Sequence, residues 1–322
     1  MHDDTRHYGL ELEYIGVPLD KVADIIRDIV GGEIRKQHST RLHVESEKGD
    51  FIVELDVELA QKISEKAKAH REENPAGRSL EEMADQIVPP FLSPIAPSEI
   101  VTPPLKYNDL DIVEKLIVKL RDAGAQGTSK SLFYAFGYHI NAEAASFAAT
   151  EIRDTLRAFI LMYDWLMTRL EMDLTRKITG FAGPHDKKYI ELVLKPDYNP
   201  NLEQLIRDYI QLNPSRNYAL DMLPLFSHLD EKLVDDLITE SLIKKRPTYH
   251  FRMPNCCIDD TQWNIRTGLN CWFTVEALAD DKALLRKLSA EYIDRRQDVF
   301  SRIDKHWAEK IETELRQAGI LS

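Results

Sequence analysis

Cysteine is nearly absent from this chain: three residues in 322, two of them adjacent at Cys256 and Cys257. Such a set builds no disulfide framework, so a reducing, cytoplasmic setting is expected. Basic residues are outnumbered, 42 Lys and Arg against 54 Asp and Glu, for a formal charge of -12. That balance excludes a general nucleic-acid binder, which needs a basic stripe to release counterions. It leaves room for a phosphate-bearing ligand, because bound magnesium and a few arginines reverse the sign locally. No apolar run approaches the roughly 20 residues needed to cross a bilayer, and no membrane span is expected. Met1-His-Asp-Asp-Thr-Arg6 has no basic stretch followed by an apolar core, so no secretory signal is expected. A His-Glu-x-x-His zinc helix, a Cys-x-x-Cys pair and a Gly-x-Ser-x-Gly elbow are also missing. Gly124–Lys130 superficially resembles a phosphate loop, but it follows a helix and its spacing is wrong.

What is present is enough apolar material, 43% of residues, for a substantial core, either as one large domain or as two closely packed lobes. Tyr8–Ile15 alternates apolar and acidic residues and predicts a strand. Pro18–Val30 has helical spacing and stops at Gly31-Gly32. Thr40–Ser46 and Phe51–Val57 read as a hairpin. Glu58–Asn74 reads as a charged helix, and Ser79-Leu-Glu-Glu82 has capping-box spacing for another. Pro89, Pro90, Pro94 and Pro97 mark a loop before a strand at Ser98–Thr102, which Pro103-Pro104 ends. A helix over Tyr107–Arg121 follows, then a long amphipathic one from about Ala142 to Leu170. Strands are expected at Tyr189–Leu194, Thr248–Met253 and Leu269–Phe273, and a charged helix over the last forty residues. Its apolar seam runs through Leu285, Leu288, Tyr292, Phe300, Ile303 and Trp307. The mixture suggests an α+β fold, an antiparallel sheet covered by helices on one face.

Four of the predicted strands place polar groups on one face by their period of two. Glu11 and Glu13 oppose Leu10, Leu12 and Tyr14; Glu54 and Asp56 oppose Phe51, Val53 and Leu55. His139 and Asn141 oppose Tyr138 and Ile140; His250 and Arg252 oppose Tyr249, Phe251 and Met253. Solvated outer faces would also alternate in this way. Such faces usually mix lysine with acids, and lysine is absent from all four segments. Two unit charges about 4 Å apart repel by about 4 kcal/mol at an effective dielectric near 20. If these strands share a sheet, the acids need protons or cations, and oxygen-only ligands select hard ions such as magnesium.

Gly9-Leu-Glu-Leu-Glu13, Phe51–Asp56, Ser98-Glu-Ile-Val-Thr-Pro-Pro-Leu105, Gly137-Tyr-His-Ile-Asn141 and His250-Phe-Arg252 together, in this order, resemble the amidoligase family. The resemblance spans roughly residues 8 to 275 and is carried most by Gly-x-Glu-x-Glu together with Glu-Ile-Val-x-Pro-Pro. It implies a carboxylate–amine ligase related to glutamate–cysteine ligases, with a glutamine-synthetase-like curved antiparallel sheet of about six strands backed by helices. One ligase domain over residues 1–322 is implied, the last stretch from about 277 forming a helical extension. Magnesium and ATP are the implied cofactors. Glu11, Glu13, Glu54, Asp56 and Glu99 would form the acidic metal site. Arg252 would face the transferred phosphoryl group and His139 the nucleotide phosphates; Glu13, Asn141, Tyr189 and His250 would help to hold the nucleotide. Thr175–Gly180 and Asp186–Tyr189 look like basic segments brought over the phosphates, through Arg176, Lys187 and Tyr189, although ordinary surface charge reads the same way. The sequence departs from the family where a late Glu-Phe-Arg becomes His250-Phe-Arg252, and Asp221 stands where asparagine is usual.

The implied substrates are a small molecule or peptide bearing a carboxylate, and an amine. Two other readings use the same residues: a phosphotransferase of the guanidino-kinase type, and a catalytically lapsed protein that binds a nucleotide or peptide. The C-terminal helix could serve a homo-oligomer contact or pack on its own domain.

Overall fold

The computed structural model describes residues 5–56, 97–128, 136–172, 183–238, 243–295 and 304–321. The helices expected over Glu58–Asn74 and from Ser79, with Pro89, Pro90 and Pro94, lie outside the described residues. The chain is a mixture of helices and antiparallel sheet in two compact units. One comprises Asp3–Tyr138 with Asn255–Ile265, the other His139–Pro254 with Arg266–Ser322. Nine strands occur among the described residues, against the six expected.

In the first unit the strands are β1 (His7–Tyr14), β2 (Glu33–His38), β3 (Arg41–Ser46), β4 (Gly49–Leu55), β5 (Ser98–Val101) and β6 (Leu105–Lys106). They run in the order β2-β3-β4-β5-β1, with β6 also pairing β1, and every ladder is antiparallel. The sequence pattern had not shown β2, whose Glu33–His38 is almost wholly exposed and carries no alternation. Leu42, Val53, Ile100 and Leu12 pair across four strands and bury one face completely. Helix α1 (Leu19–Val30) packs against β3 and β4 through Val22, Ala23 and Ile26. It ends at Gly31, and Gly32 follows with φ of 91°. A β-carbon on Gly32 would lie 2.0 Å from the Glu45 carbonyl oxygen, so only glycine lets the chain pass this close to β3. Pro103 cannot donate to a ladder, and β5 stops just before it; the Thr102 hydroxyl accepts instead from the Leu10 backbone N–H at 2.9 Å. Helix α2 (Asp111–Asp122) falls where a helix was expected.

The second unit contains β7 (Tyr138–Glu143), β8 (Leu220–Asp221) and β9 (Thr248–Phe251), ordered β7-β9-β8 and antiparallel. Its helices are α3 (Ala149–Arg169), α4 (Lys187–Leu194), α5 (Leu202–Leu212), α6 (Leu223–Leu229), α7 (Glu231–Leu237), α8 (Arg266–Asp280), α9 (Lys282–Arg295) and α10 (Lys305–Gln317). Three expectations need correction here. The long helix starts at Ala149, not near Ala142, because Ala142 and Glu143 pair with Tyr249 and Thr248 of β9. Tyr189–Leu194 is helical: Asp186 caps it by accepting from the Lys188 N–H, and Tyr189, Ile190, Val193 and Leu194 fall on one buried face. Leu269–Phe273 lies inside α8, where Leu269, Trp272 and Val275 recur at helical spacing. In the last two cases β-branched and aromatic residues mimic a strand, and burial against neighbouring helices overrides propensity.

The C-terminal seam is divided between α9 and α10, with Phe300 and Ile303 outside the described residues. Helix α10 packs on α3 of its own unit, burying Trp307, Ile311 and Leu315. The Trp307 indole donates to the Leu161 carbonyl at 2.7 Å, so its polar atom is satisfied while the ring is buried. All three cysteines are free thiols, and no helix among the described residues is long and apolar enough to cross a membrane.

Candidate active site

In the first unit the face opposite the apolar row carries the acids. Arg41 pairs with Glu54, Glu54 with Glu99, and Glu99 with Glu13, a row that crosses β3, β4, β5 and β1. Directly paired residues share a face, with β-carbons about 5 Å apart, and like charges at that spacing repel. Glu11 lies two residues from Glu13 on the same face, and Asp56 follows Glu54 with its N–H bonded to the Pro97 carbonyl at 2.9 Å. The acids that the pattern assigned to separate strands therefore meet on one surface. Glu11 and Glu13 are only 7% and 8% exposed, which removes the solvated-face reading for β1.

Glu99 records the consequence. Burial first, then the charges of Glu11, Asp56, Glu13 and Glu54, hold its carboxyl well above the usual carboxylate range. Two acids have partners that sequence reasoning missed. Glu54 forms an ion pair with Arg41 at 3.0 Å, which leaves it less available to a cation than the others. Pairing the predicted hairpin residue by residue would have shown Arg41 opposite Glu54. Glu13 accepts from the Gly137 N–H through Oε2, while its own N–H donates to the Gly137 carbonyl, so one of its oxygens is committed to the backbone.

The second unit gathers the remaining polar residues. Asn141, His250 and Asp221 form a cross-strand row over β7, β9 and β8. His139, Asn141 and His250 are 4%, 3% and 2% exposed, and the His139 and His250 rings meet edge to face at 5.2 Å. Half-buried Arg252 donates from its guanidinium to the Arg216 carbonyl, and its N–H donates to Ala219 at 2.9 Å. Of the other candidates, Lys187 is exposed in the first turn of α4. Tyr189 is fully buried, its ring edge-on to Tyr209 at 5.4 Å, a core setting that accounts for it without a ligand. Arg176 lies outside the described residues.

His185 was not singled out from sequence, yet it anchors this region. It is 4% exposed, its Nε2 is bonded to the Leu220 carbonyl at 3.0 Å, and its ring stacks on Tyr218. Burial pushes its pKa down to about 4, against a weaker upward pull from the Leu220 carbonyl and Asp221. A depressed folded-state pKa means that the unfolded chain takes up this proton first, so His185 contributes stability above its ordinary pKa of 6.5 that is lost as pH falls towards 4. The loss is expected to reach about 3 kcal/mol. Urea unfolding of the wild type and His185→Gln between pH 7 and 4 should show a steeper decline in the wild type; parallel curves would refute the assignment.

The geometry therefore offers a cluster of oxygen ligands suited to a hard divalent cation, and a set of buried histidine and asparagine with half-buried arginine suited to anionic oxygens. A family model described as “Putative amidoligase enzyme” matches residues 4–274. No curated protein and no solved structure matches the chain.

Proposed function

Because the chain belongs to the amidoligase family, we propose that this ligase-type enzyme is an ATP- and magnesium-dependent carboxylate–amine ligase. The observation that carries the reading is the acidic row Glu54–Glu99–Glu13 with Glu11 and Asp56 beside it, whose mutual repulsion is displayed at Glu99. Its donors are all carboxylate oxygens, the set that suits magnesium. Glu11, Glu13, Asp56 and Glu99 would hold the metal, with Glu54 restrained by Arg41 at the margin. When bound, magnesium neutralises charge on the nucleotide phosphates and on the leaving group.

A free carboxylate acylates amines poorly. In the proposed reaction its oxygen attacks the γ-phosphorus of ATP, the bond to ADP breaks, and an acyl phosphate forms. The amine nitrogen then attacks the acyl carbon, phosphate leaves with the bonding pair, and the nitrogen gives up its proton. Arg252, with Arg176 and Lys187, would stabilise the transferred phosphoryl group and the tetrahedral oxyanion. His139, Asn141 and His250 would orient the nucleotide phosphates, while Tyr189 supports that region from the core. The reading includes a glutamine-synthetase-like fold forming one functional ligase domain, a cytoplasmic setting, and a small-molecule or peptide acid as substrate.

The test is incubation with ATP, magnesium and a panel of amino acids and short peptides, with hydroxylamine as the amine. ADP release dependent on one acid, with a hydroxamate as the second product, is expected. A stable phosphorylated product would identify a guanidino-kinase-type phosphotransferase instead. Magnesium-dependent ATP binding without turnover across the panel would favour the lapsed binder.

A further inference from the structure

Asp221 is the most enclosed charged group near the candidate site. It is 0% exposed and sits on β8 directly opposite His250 of β9. The Leu223 N–H donates to Oδ1 at 3.0 Å; Oδ2 lies 3.4 Å from His250 Nδ1 and 3.9 Å from Arg216 Nε. Both neighbours of Asp221 in the chain are pinned by one side chain: the Tyr209 hydroxyl donates to the Leu220 carbonyl at 3.3 Å and accepts from the Met222 N–H at 3.2 Å. His185 holds the same Leu220 carbonyl. A two-residue strand has little intrinsic order, so this bracing is what gives the carboxylate a defined direction.

We propose that Asp221 is a positioning residue that holds the His250 ring with its proton on Nδ1, making Nε2 the lone-pair nitrogen offered to a divalent cation. A carboxylate can only accept, so the imidazole nitrogen facing it must donate. The tautomer of a ligating histidine is commonly set by a carboxylate on its other nitrogen. His139 adds a second imidazole: one ring nitrogen of each histidine lies within 4.8 Å of the other, close enough for a small approach of the two rings to bring both onto one ion. Paired imidazoles favour borderline ions such as zinc over magnesium. The inference rests on the ligase reading only for the chemistry it serves, because the tautomer is measurable without turnover.

The test is a long-range proton–nitrogen NMR spectrum of the full-length, ¹⁵N-labelled, metal-free protein at pH 8, with His250 assigned by the signals lost in His250→Gln. A pyrrole-like Nδ1 and a pyridine-like Nε2 are expected, and zinc alone should shift Nε2. Asp221→Ala should mix the tautomers and weaken zinc binding at His250 about 10- to 100-fold. A pyridine-like Nδ1, protons on both nitrogens at pH 8, or zinc binding through Nδ1 would overturn the proposal. The wild-type spectrum decides the matter even if Asp221→Ala does not fold. An inactive protein with the expected tautomer would keep this inference and remove the ligase reading.

Discussion

Replacing Glu11 by alanine is expected to abolish ADP release, and Arg252→Ala to do the same, while both proteins stay folded. Glu11 is buried on β1 opposite Val101, beside other acids. A buried carboxylate set among other acids gains from a cation that shares the space. Arg252 is tied to the Arg216 carbonyl, which aims its guanidinium. Loss of one preorganised electrostatic contact to a transferring phosphoryl group lowers turnover by about 100- to 1,000-fold. Circular dichroism and thermal melts should match the wild type within a few degrees. Undiminished turnover in both variants would remove the assignment.

Glu99→Gln should make the metal-free protein more stable, the reverse of most substitutions at a central strand. Its carboxyl is held well above the ordinary value of 4.5 by burial and four acidic neighbours. The folded protein therefore binds this proton more tightly than the unfolded chain does. The group is accordingly neutral in its effect below about pH 4.5 and increasingly destabilising as pH rises through its folded-state pKa. In EDTA at pH 8 the glutamine variant should unfold at a higher urea concentration than the wild type, because the repulsion between neighbouring carboxylates is relieved. The gain should shrink on acidification towards pH 5. Saturating magnesium should stabilise the wild type by about 2.7 kcal/mol at a hundredfold excess over Kd, and the variant by less. Urea midpoints measured with EDTA and with magnesium give all four values; a variant less stable than the wild type in EDTA would contradict the electrostatic account.

The strands that carry the site were legible because alternation survives in a half-polar sheet: β1, β4, β7 and β9 each showed a period of two. Their apolar faces are where the pattern placed them, in the Leu12–Ile100–Val53–Leu42 row for example. The strand at Leu220–Asp221 was not legible, since two residues carry no period. Nor could sequence show that Asp221 faces His250, because that pairing is set by register between strands far apart in the chain. Lys187–Leu194 misled for the opposite reason: its tyrosine, isoleucine and valine favour strands, yet the Asp186 cap and a four-residue buried stripe make a helix.

The central claim is that the acids of β1, β4 and β5 share a divalent cation. Calorimetric titration of the metal-free protein with magnesium tests it most directly, comparing the wild type with a Glu11→Gln, Asp56→Asn, Glu99→Gln triple variant. The account predicts saturable magnesium binding in the wild type and none in the variant. Magnesium that fails to bind the wild type, or binds both proteins equally, would contradict it.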